Sequence, residues 1–476
     1  MSLWRGRTAC GISTARAKNV LGIPRRFRLN CRAVAANRLR GFGVRTMSID
    51  LNKIRPDESW AFSDCTQSQT RYITHGYHTY PAKFIPQLAA RLIEEHTCEG
   101  QVVVDPFMGS GTTLVEAMVH GRVGIGTDIN PVAHLIAQVK TTPIEPEKLL
   151  KVYRELEADL QQANKQSDKL TRFLKTAIPE EGRLDYWFPK EQKERLGIII
   201  GRITKTSEED VRNLFLVAFS QILKSCSIWL QKSIKPTRDP NKVPAEPNSA
   251  FFRQSRYMLK QNLAFWNILP ERIRDTPKAY RIVQCVDARS LPIDSGKAAL
   301  IITSPPYVTS YEYADLHQLA GLWFEFFKSL PEFRKQFIGT AYSERPAIDL
   351  KSENANQICA SLGTGRKARE VRNYFADMLE CFQEMNRVLQ VGGKACIVIG
   401  NTQLQGVDIL NAEVFIEQMQ NSGFGIHTIS KREIPSKILP QTRDPESGRF
   451  TSSTNSKKVL AYPVEYILVM EKTNGL

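Results

Sequence analysis

Short apolar runs separated by stretches of helical spacing set the pattern of this chain. The first run is Val102-Val103-Val104, three β-branched residues leading into Asp105. After it come Pro106-Phe107-Met108, the turn Gly109-Ser110-Gly111, and apolar residues at helical spacing through Ala117. A buried strand, a glycine turn and a helix start are the units of an open α/β sheet. The next run, residues 123–128 (VGIGTD), ends in an acid about twenty residues after the glycine turn. Residues 280–287 (YRIVQCVD) read as a third strand ending in Asp287, and residues 298–302 as a fourth leading into Thr303-Ser304-Pro305-Pro306-Tyr307. A helix ending near Asn386, the turn Gly392-Gly393 and the run KACIVIG give a fifth. Residues 423–434 and 464–471 read as a closing antiparallel pair. Strands linked by helices predict a doubly wound α/β fold with a terminal antiparallel hairpin.

Residues 140–278 interrupt the alternation with Lys, Glu, Leu and Gln at helical spacing, clearest at 150–160 and 211–230. This predicts a large helical insertion, either a target-recognition element or a structural cap on the sheet. Residues 232–242 (KSIKPTRDPNK) form a basic, proline-interrupted loop within it. A second helical insertion, 311–330, carries Tyr311, Tyr313, Trp323, Phe324, Phe326 and Phe327, a stripe that reads as core before it reads as a base-stacking platform. Residues 363–369 (GTGRKAR) read as a flexible basic loop suited to phosphate contact or simply solvated, and 435–458 as a mobile loop near the active face.

Composition bounds the reading. The chain has 476 residues, 42% of them hydrophobic, enough for one large domain with an insertion or for two to three small ones. No apolar run is long enough to span a bilayer. The nine cysteines include no CxxC pair, which argues against a zinc ribbon or a disulfide framework and for a reducing compartment. The net charge of +16 invites a polyanionic partner. Residues 1–49 hold ten arginines, Lys18 and no acid; without them 54 basic residues face 49 acidic ones, a balance of +5. Residues 1–46 read as a mitochondrial-type transit segment, a disordered basic arm, or upstream sequence ahead of a true start at Met47, and the last is preferred.

The candidate chemistry gathers at strand ends. Asp105, Asp128, Asp287 and Ser304 should line one crevice, because open α/β sheets bind ligands beyond the carboxyl ends of their strands. Gly109 and Gly111 let a ligand approach backbone where a side chain would collide. Asp128 can accept hydrogen bonds from two ribose hydroxyls; as an alternative it caps the helix that starts at Pro131.

Together, DPFMGSGTT and TSPPY resemble the amino-methyltransferase family, which transfers a methyl group from S-adenosylmethionine to an exocyclic amino group of a base, mostly in DNA. The resemblance implies a class I methyltransferase (Rossmann-like) sheet of seven strands. It also implies a cofactor half at 70–139, a catalytic half at 279–476 and the insertion between them. Tyr80, Pro81 and Lys83 would close over the methionine end of the cofactor. Asp105, Phe107, Gly109, Ser110, Gly111 and Thr112 would cradle it, Asp128 would hold the ribose, and Asp287 would bond the adenine amino group. Ser304, Pro305, Pro306 and Tyr307 would be catalytic: the Ser304 hydroxyl and Pro305 carbonyl accept from the target amine, Tyr307 stacks on the base, and the prolines keep the turn rigid. No metal and no covalent intermediate is called for. A base in duplex DNA would have to be flipped, and a cognate restriction endonuclease is an expected companion. Serine at 304 is typical of members acting on cytosine N4. Adenine N6 is the alternative, with an RNA methyltransferase and a non-catalytic nucleic-acid-binding relative behind it. The expected location is bacterial cytoplasm, or the mitochondrion if residues 1–46 are a transit segment.

Overall fold

The computed structural model describes residues 50–473 except 82, 166–177, 181, 234, 309–312, 328, 341, 343–344, 347, 435–441, 444–454, 457–458 and 461–463. The basic segment 1–46, most of the expected loop 435–458, and Tyr311 lie outside the described residues.

Seven strands form one sheet: β1 (Val102–Asp105), β2 (Val123–Thr127), β3 (Arg281–Gln284), β4 (Ala298–Thr303), β5 (Leu389–Ile399), β6 (Phe424–Glu433) and β7 (Val464–Lys472). Their spatial order is β3-β2-β1-β4-β5-β7-β6. The pairs from β3 to β5 are parallel; β7 is antiparallel to both β5 and β6. The expected closing pair is present, with β7 threaded between β5 and β6. Strand order reverses between β1 and β4, so a crevice opens at their carboxyl ends.

Side chains alternate across the sheet with the strand period of two. Val104, Ile301, Ile397 and Leu468 pack under Phe375 and Phe382 of one long helix. Their neighbours Val103, Ile302, Val398 and Ile467 face the opposite way, against Leu88, Leu92 and Ile93. The helices involved are α1 (Pro86–His96), α2 (Thr112–Val119), α3 (Pro131–Lys140), α4 (Pro146–Lys165), α5 (Lys190–Thr204), α6 (Glu209–Leu223), α7 (Pro247–Ile268), α8 (Gln318–Trp323), α9 (Arg366–Val388) and α10 (Asn411–Gln420).

Helices α4 to α7 make a body with its own core, in which Leu156, Leu196, Leu214, Phe219 and Phe251 are fully buried. It closes on Val132, Ile136 and Val139 of α3 and takes in Leu319 and Trp323 of α8. The aromatic stripe thus contributes Trp323 to a core, whereas Phe326 is exposed.

Several expected boundaries move. Helix α6 stops at Leu223, and the backbone then turns into a bridge pairing Trp229 with Arg238, so part of the basic loop is an ordered hairpin. The expected loop 363–369 is half helix, because Gly365 caps α9 and Arg366 begins it. Gly392 and Gly393 lie inside β5, where Gly392 has φ +76° and the register against β4 slips between Ala298 and Leu300. Strand β3 ends at Gln284, so Asp287 lies on the loop three residues beyond it. No described helix is long and apolar enough to cross a membrane.

Candidate active site

A cavity opens at the carboxyl ends of β1, β2 and β4. Among its lining residues are Tyr80, Lys83, Asp105, Phe107, Gly109, Ser110, Thr112, Asp128, Asp287, Ser304 and Pro306. Residues more than two hundred positions apart in sequence therefore meet on one wall. Pro81, Gly111, Pro305 and Tyr307 belong to the same segments and are not among the residues that line it.

Asp105 ties the first motif to the second. Its Oδ2 accepts from the Thr113 hydroxyl at 2.7 Å, and its Oδ1 accepts from the Thr303 hydroxyl at 2.7 Å and the Phe107 N–H at 3.1 Å. The carboxyl is buried, and burial pushes its pKa up to about 6 against the three donors that favour the charged form. Both oxygens of Asp105 are thus engaged inside the protein. Thr113 and Thr303 were not singled out from the sequence, although each sits within a quoted motif.

Asp128 has a comparable role beside β2. Its Oδ2 accepts from the Gly109 N–H at 3.1 Å and its Oδ1 from the Asn130 N–H at 2.8 Å, while burial raises its pKa to about 6. It does not cap α3: the cap is Asn130, whose Oδ1 accepts from the Val132 N–H at 3.0 Å.

The two glycines do different work. At Gly109, φ +47°, a Cβ would fall 3.0 Å from the Tyr80 ring, which covers this turn. At Gly111, φ +75°, a Cβ would come within 2.9 Å of the Ala137 Cβ, so this glycine admits α3 against the start of α2.

Lys83 donates from Nζ to the His75 carbonyl at 2.8 Å, and burial brings its pKa down to about 8. Ser110 accepts at 3.3 Å from Lys140, a fully buried amine that burial holds well below the usual lysine range. Asp287 is gripped by Arg289, whose Nη2 donates to Oδ2 at 2.5 Å and Nε to Oδ1 at 2.9 Å; Arg289 continues to Asp377 at 3.0 Å. Oδ1 also accepts from the Arg289 backbone N–H at 2.9 Å, so Oδ2 is the Asp287 oxygen with a lone pair left to offer a ligand.

The loop after β4 is pinned at both ends, by Thr303 on Asp105 and by Tyr307, whose hydroxyl donates to Glu465 Oε1 at 3.3 Å. Glu465 is itself held through Oε2 by Arg432 at 3.2 Å. The Tyr307 ring lies against the backbone of Gly400, about where a Cβ there would be 3.4 Å away. In this position the ring anchors the loop. Gln336, Phe337 and Ile338 complete the wall, and no sequence motif marks them. Among the described residues, no group of three His, Cys, Asp or Glu side chains could hold a metal ion.

Residues 37–139 match the family model described as DNA methylase, a span that includes the glycine turn and Asp128 and begins ahead of Met47. The chain is 27% identical over 420 residues to Type II methyltransferase M.MvaI of Kocuria varians, covering 83% of this chain and 91% of that protein. It is 22% identical over 425 residues to Type II methyltransferase M.BsoBI of Geobacillus stearothermophilus, covering 77% and 82%. Type II methyltransferase M.MjaII of Methanocaldococcus jannaschii is 43% identical over 96 residues, 20% of this chain and 18% of that protein.

Proposed function

We propose, from the premise that the chain belongs to the N4/N6 amino DNA methyltransferase family, that it methylates cytosine N4 at a specific site in duplex DNA. The family's cofactor, S-adenosylmethionine, supplies an electrophilic methyl group on a sulfonium. The cavity has features that fit it. Thr112 Oγ1 is buried on the wall with no partner among the described residues, a polar atom for a ligand to satisfy. Gly109 keeps the turn below the Tyr80 ring free of a side chain.

In this reading Asp128 receives the ribose hydroxyls, held in place by the Gly109 and Asn130 amides. Asp287 takes the adenine amino group through Oδ2, with Arg289 fixing the plane of the carboxylate. Lys83, Ser110 and Thr112 offer polar groups to the amino-acid end. The chain's own contribution to methyl transfer is positioning. The Ser304 hydroxyl and Pro305 carbonyl accept from the target amine, favour a pyramidal nitrogen and free its lone pair for in-line displacement. One observation carries the reading: the Ser304–Pro305–Pro306 turn is fastened by Thr303 to Asp105, the same carboxylate that fastens the glycine turn through Thr113 and Phe107. Cofactor wall and acceptor loop thereby keep a fixed separation.

Serine at 304 supports cytosine over adenine, and duplex DNA requires the base to be flipped into the crevice. The helical body, with its basic hairpin, is the element we assign to target recognition, and a cognate restriction endonuclease is the proposed companion of the modification. Digestion of DNA methylated by the purified protein, followed by nucleoside mass spectrometry, should yield N4-methylcytosine. RNA should take up no label, and Ser304→Ala with Pro305→Ala should lose at least about a hundredfold in rate. N6-methyladenine as the product would overturn the base assignment.

A further inference from the structure

His317 lies outside every motif in the sequence, and the structure puts it at the junction of the cofactor wall with the helical body. It precedes α8 and is only 6% exposed. Its Nδ1 lies 3.0 Å from Asn130 Nδ2, and its ring is 5.0 Å from the Tyr80 ring at a 35° tilt. Tyr80 in turn covers Gly109. On the other side His317 meets His78 edge-on at 6.3 Å. His78 is bonded through Nε2 to Ser220 of α6 at 2.9 Å.

The tautomer of His317 follows from its partners. Asn130 must present Oδ1 to the Val132 N–H to cap α3, so its Nδ2 faces His317 as a donor. Nδ1 of His317 is therefore the acceptor and the proton resides on Nε2. Burial lowers the pKa of this imidazole to about 3, so the ring is neutral across the working range. Nε2–H finds no partner among the described residues. A buried donor left unbonded is unfavourable, so hydrogen bonding alone does not account for an imidazole here. Its contacts with Asn130 on one edge and Tyr80 on the face do.

We infer that His317 is a positioning residue for the cofactor: it fixes the Tyr80 ring over Gly109 and ties that clamp to Asn130, two residues after Asp128. The inference rests on the cavity being the S-adenosylmethionine site. It deepens that reading by assigning the clamp's geometry to the segment after the Ser304–Tyr307 loop, so the cofactor wall is finished by the half of the chain that receives the base. His317 touches no reacting atom. Its effect passes through Tyr80.

The test is a double-mutant cycle read by calorimetric affinity for S-adenosylmethionine, with thermal unfolding of each variant alongside. His317→Ala should weaken binding roughly three- to tenfold, the range of one aromatic contact. His317→Phe, which keeps an aromatic face towards Tyr80, should recover most of it. Tyr80→Ala combined with His317→Ala should bind no worse than Tyr80→Ala alone, because the second change acts only through the first. If the alanine variant does not fold, His317→Leu takes its place as the variant without an aromatic face. Wild-type affinity in His317→Ala, additive losses in the double variant, or a phenylalanine variant as weak as alanine would each overturn the inference. Asp128→Ala separates this failure from failure of the site. Weakened binding there with no effect at His317 rejects the clamp alone, whereas no effect at either position rejects the cavity as the cofactor site.

Discussion

The crevice at the carboxyl ends of β1, β2 and β4 and the helical body packed on α3 differ in what they bury. The crevice buries polar groups in a hydrogen-bonded network that joins separate motifs, with Thr113 and Thr303 on Asp105 and Gly109 on Asp128. The helical body buries apolar side chains, Leu156, Leu214, Phe215, Phe219 and Phe251 among them, and keeps Lys232, Lys235 and Arg238 in solvent. A hydrogen-bonded network accepts few substitutes, because one missing partner strands the others. An apolar core accepts many sequences of similar volume. The first kind of region leaves motifs in a sequence, and the second leaves only a period.

Loss of a single partner should be felt most at Asp105. Asp105→Ala should cost about 3 kcal/mol of stability by stranding the Thr113 and Thr303 hydroxyls and the Phe107 amide. Asp105→Asn, which keeps an acceptor and can exchange donor roles with a hydroxyl, should lose much less. Chemical denaturation of the two variants measures this, and equal losses would show that the bonds through Asp105 do not hold the motifs together.

Asp128 gives the next largest effect. Asp128→Ala should weaken cofactor binding about thirtyfold, the loss of roughly 2 kcal/mol of charge-assisted bonding. Its dependence on pH has two opposed signs. Burial raises the pKa of both Asp105 and Asp128 to about 6 from an ordinary value of 3.8. The fold therefore favours their protonated forms, and the stability they contribute is present below pH 3.8 and lost as pH rises through 6. Cofactor binding to the ionised Asp128 runs the other way and falls as pH drops from 7 to 5. Calorimetry across that range should show the fall in wild type and not in Asp128→Asn.

The smallest effect belongs to the helical body. Its hairpin is held by the Leu230 N–H on the Thr237 carbonyl at 2.8 Å, with Trp229 stacked on Trp187 at 5.1 Å. Lys242 spends its ammonium on the carbonyls of Lys224 and Trp229. Lys232, Lys235 and Arg238 are exposed, and no carboxylate pairs with them among the described residues; the Arg238 guanidinium lies 4.9 Å over the half-exposed Tyr186 ring. Lys235→Ala with Arg238→Ala should weaken DNA binding about threefold and reduce the slope of log affinity against log salt by about two, with cofactor affinity unchanged. An unaltered salt slope would leave the helical body a cap on the sheet.

The strands, the acids at or just beyond their ends, the helical interruption and the two signatures were legible in the residues alone. β-Branched runs, a glycine turn and a double proline act within a few residues of themselves, so they can be read without the fold. Boundaries that depend on packing could not be read in this way: α9 starts at Arg366 inside an apparently loop-like stretch, and β5 runs from Leu389, paired with Ala298, past Gly392 and Gly393 to Lys394, where pairing with β4 resumes and pairing with β7 begins. Only the tertiary structure decided how site residues divide their work. Asp105 proved to be a latch because two threonines 190 positions apart converge on it. Gly111 answers to Ala137, Tyr307 to Glu465 and Gly400, and His317 to Tyr80 and Asn130. Each of those roles is a contact between residues far apart in sequence, and which contacts form is set by the packing of the whole sheet and its helices, which no local pattern encodes.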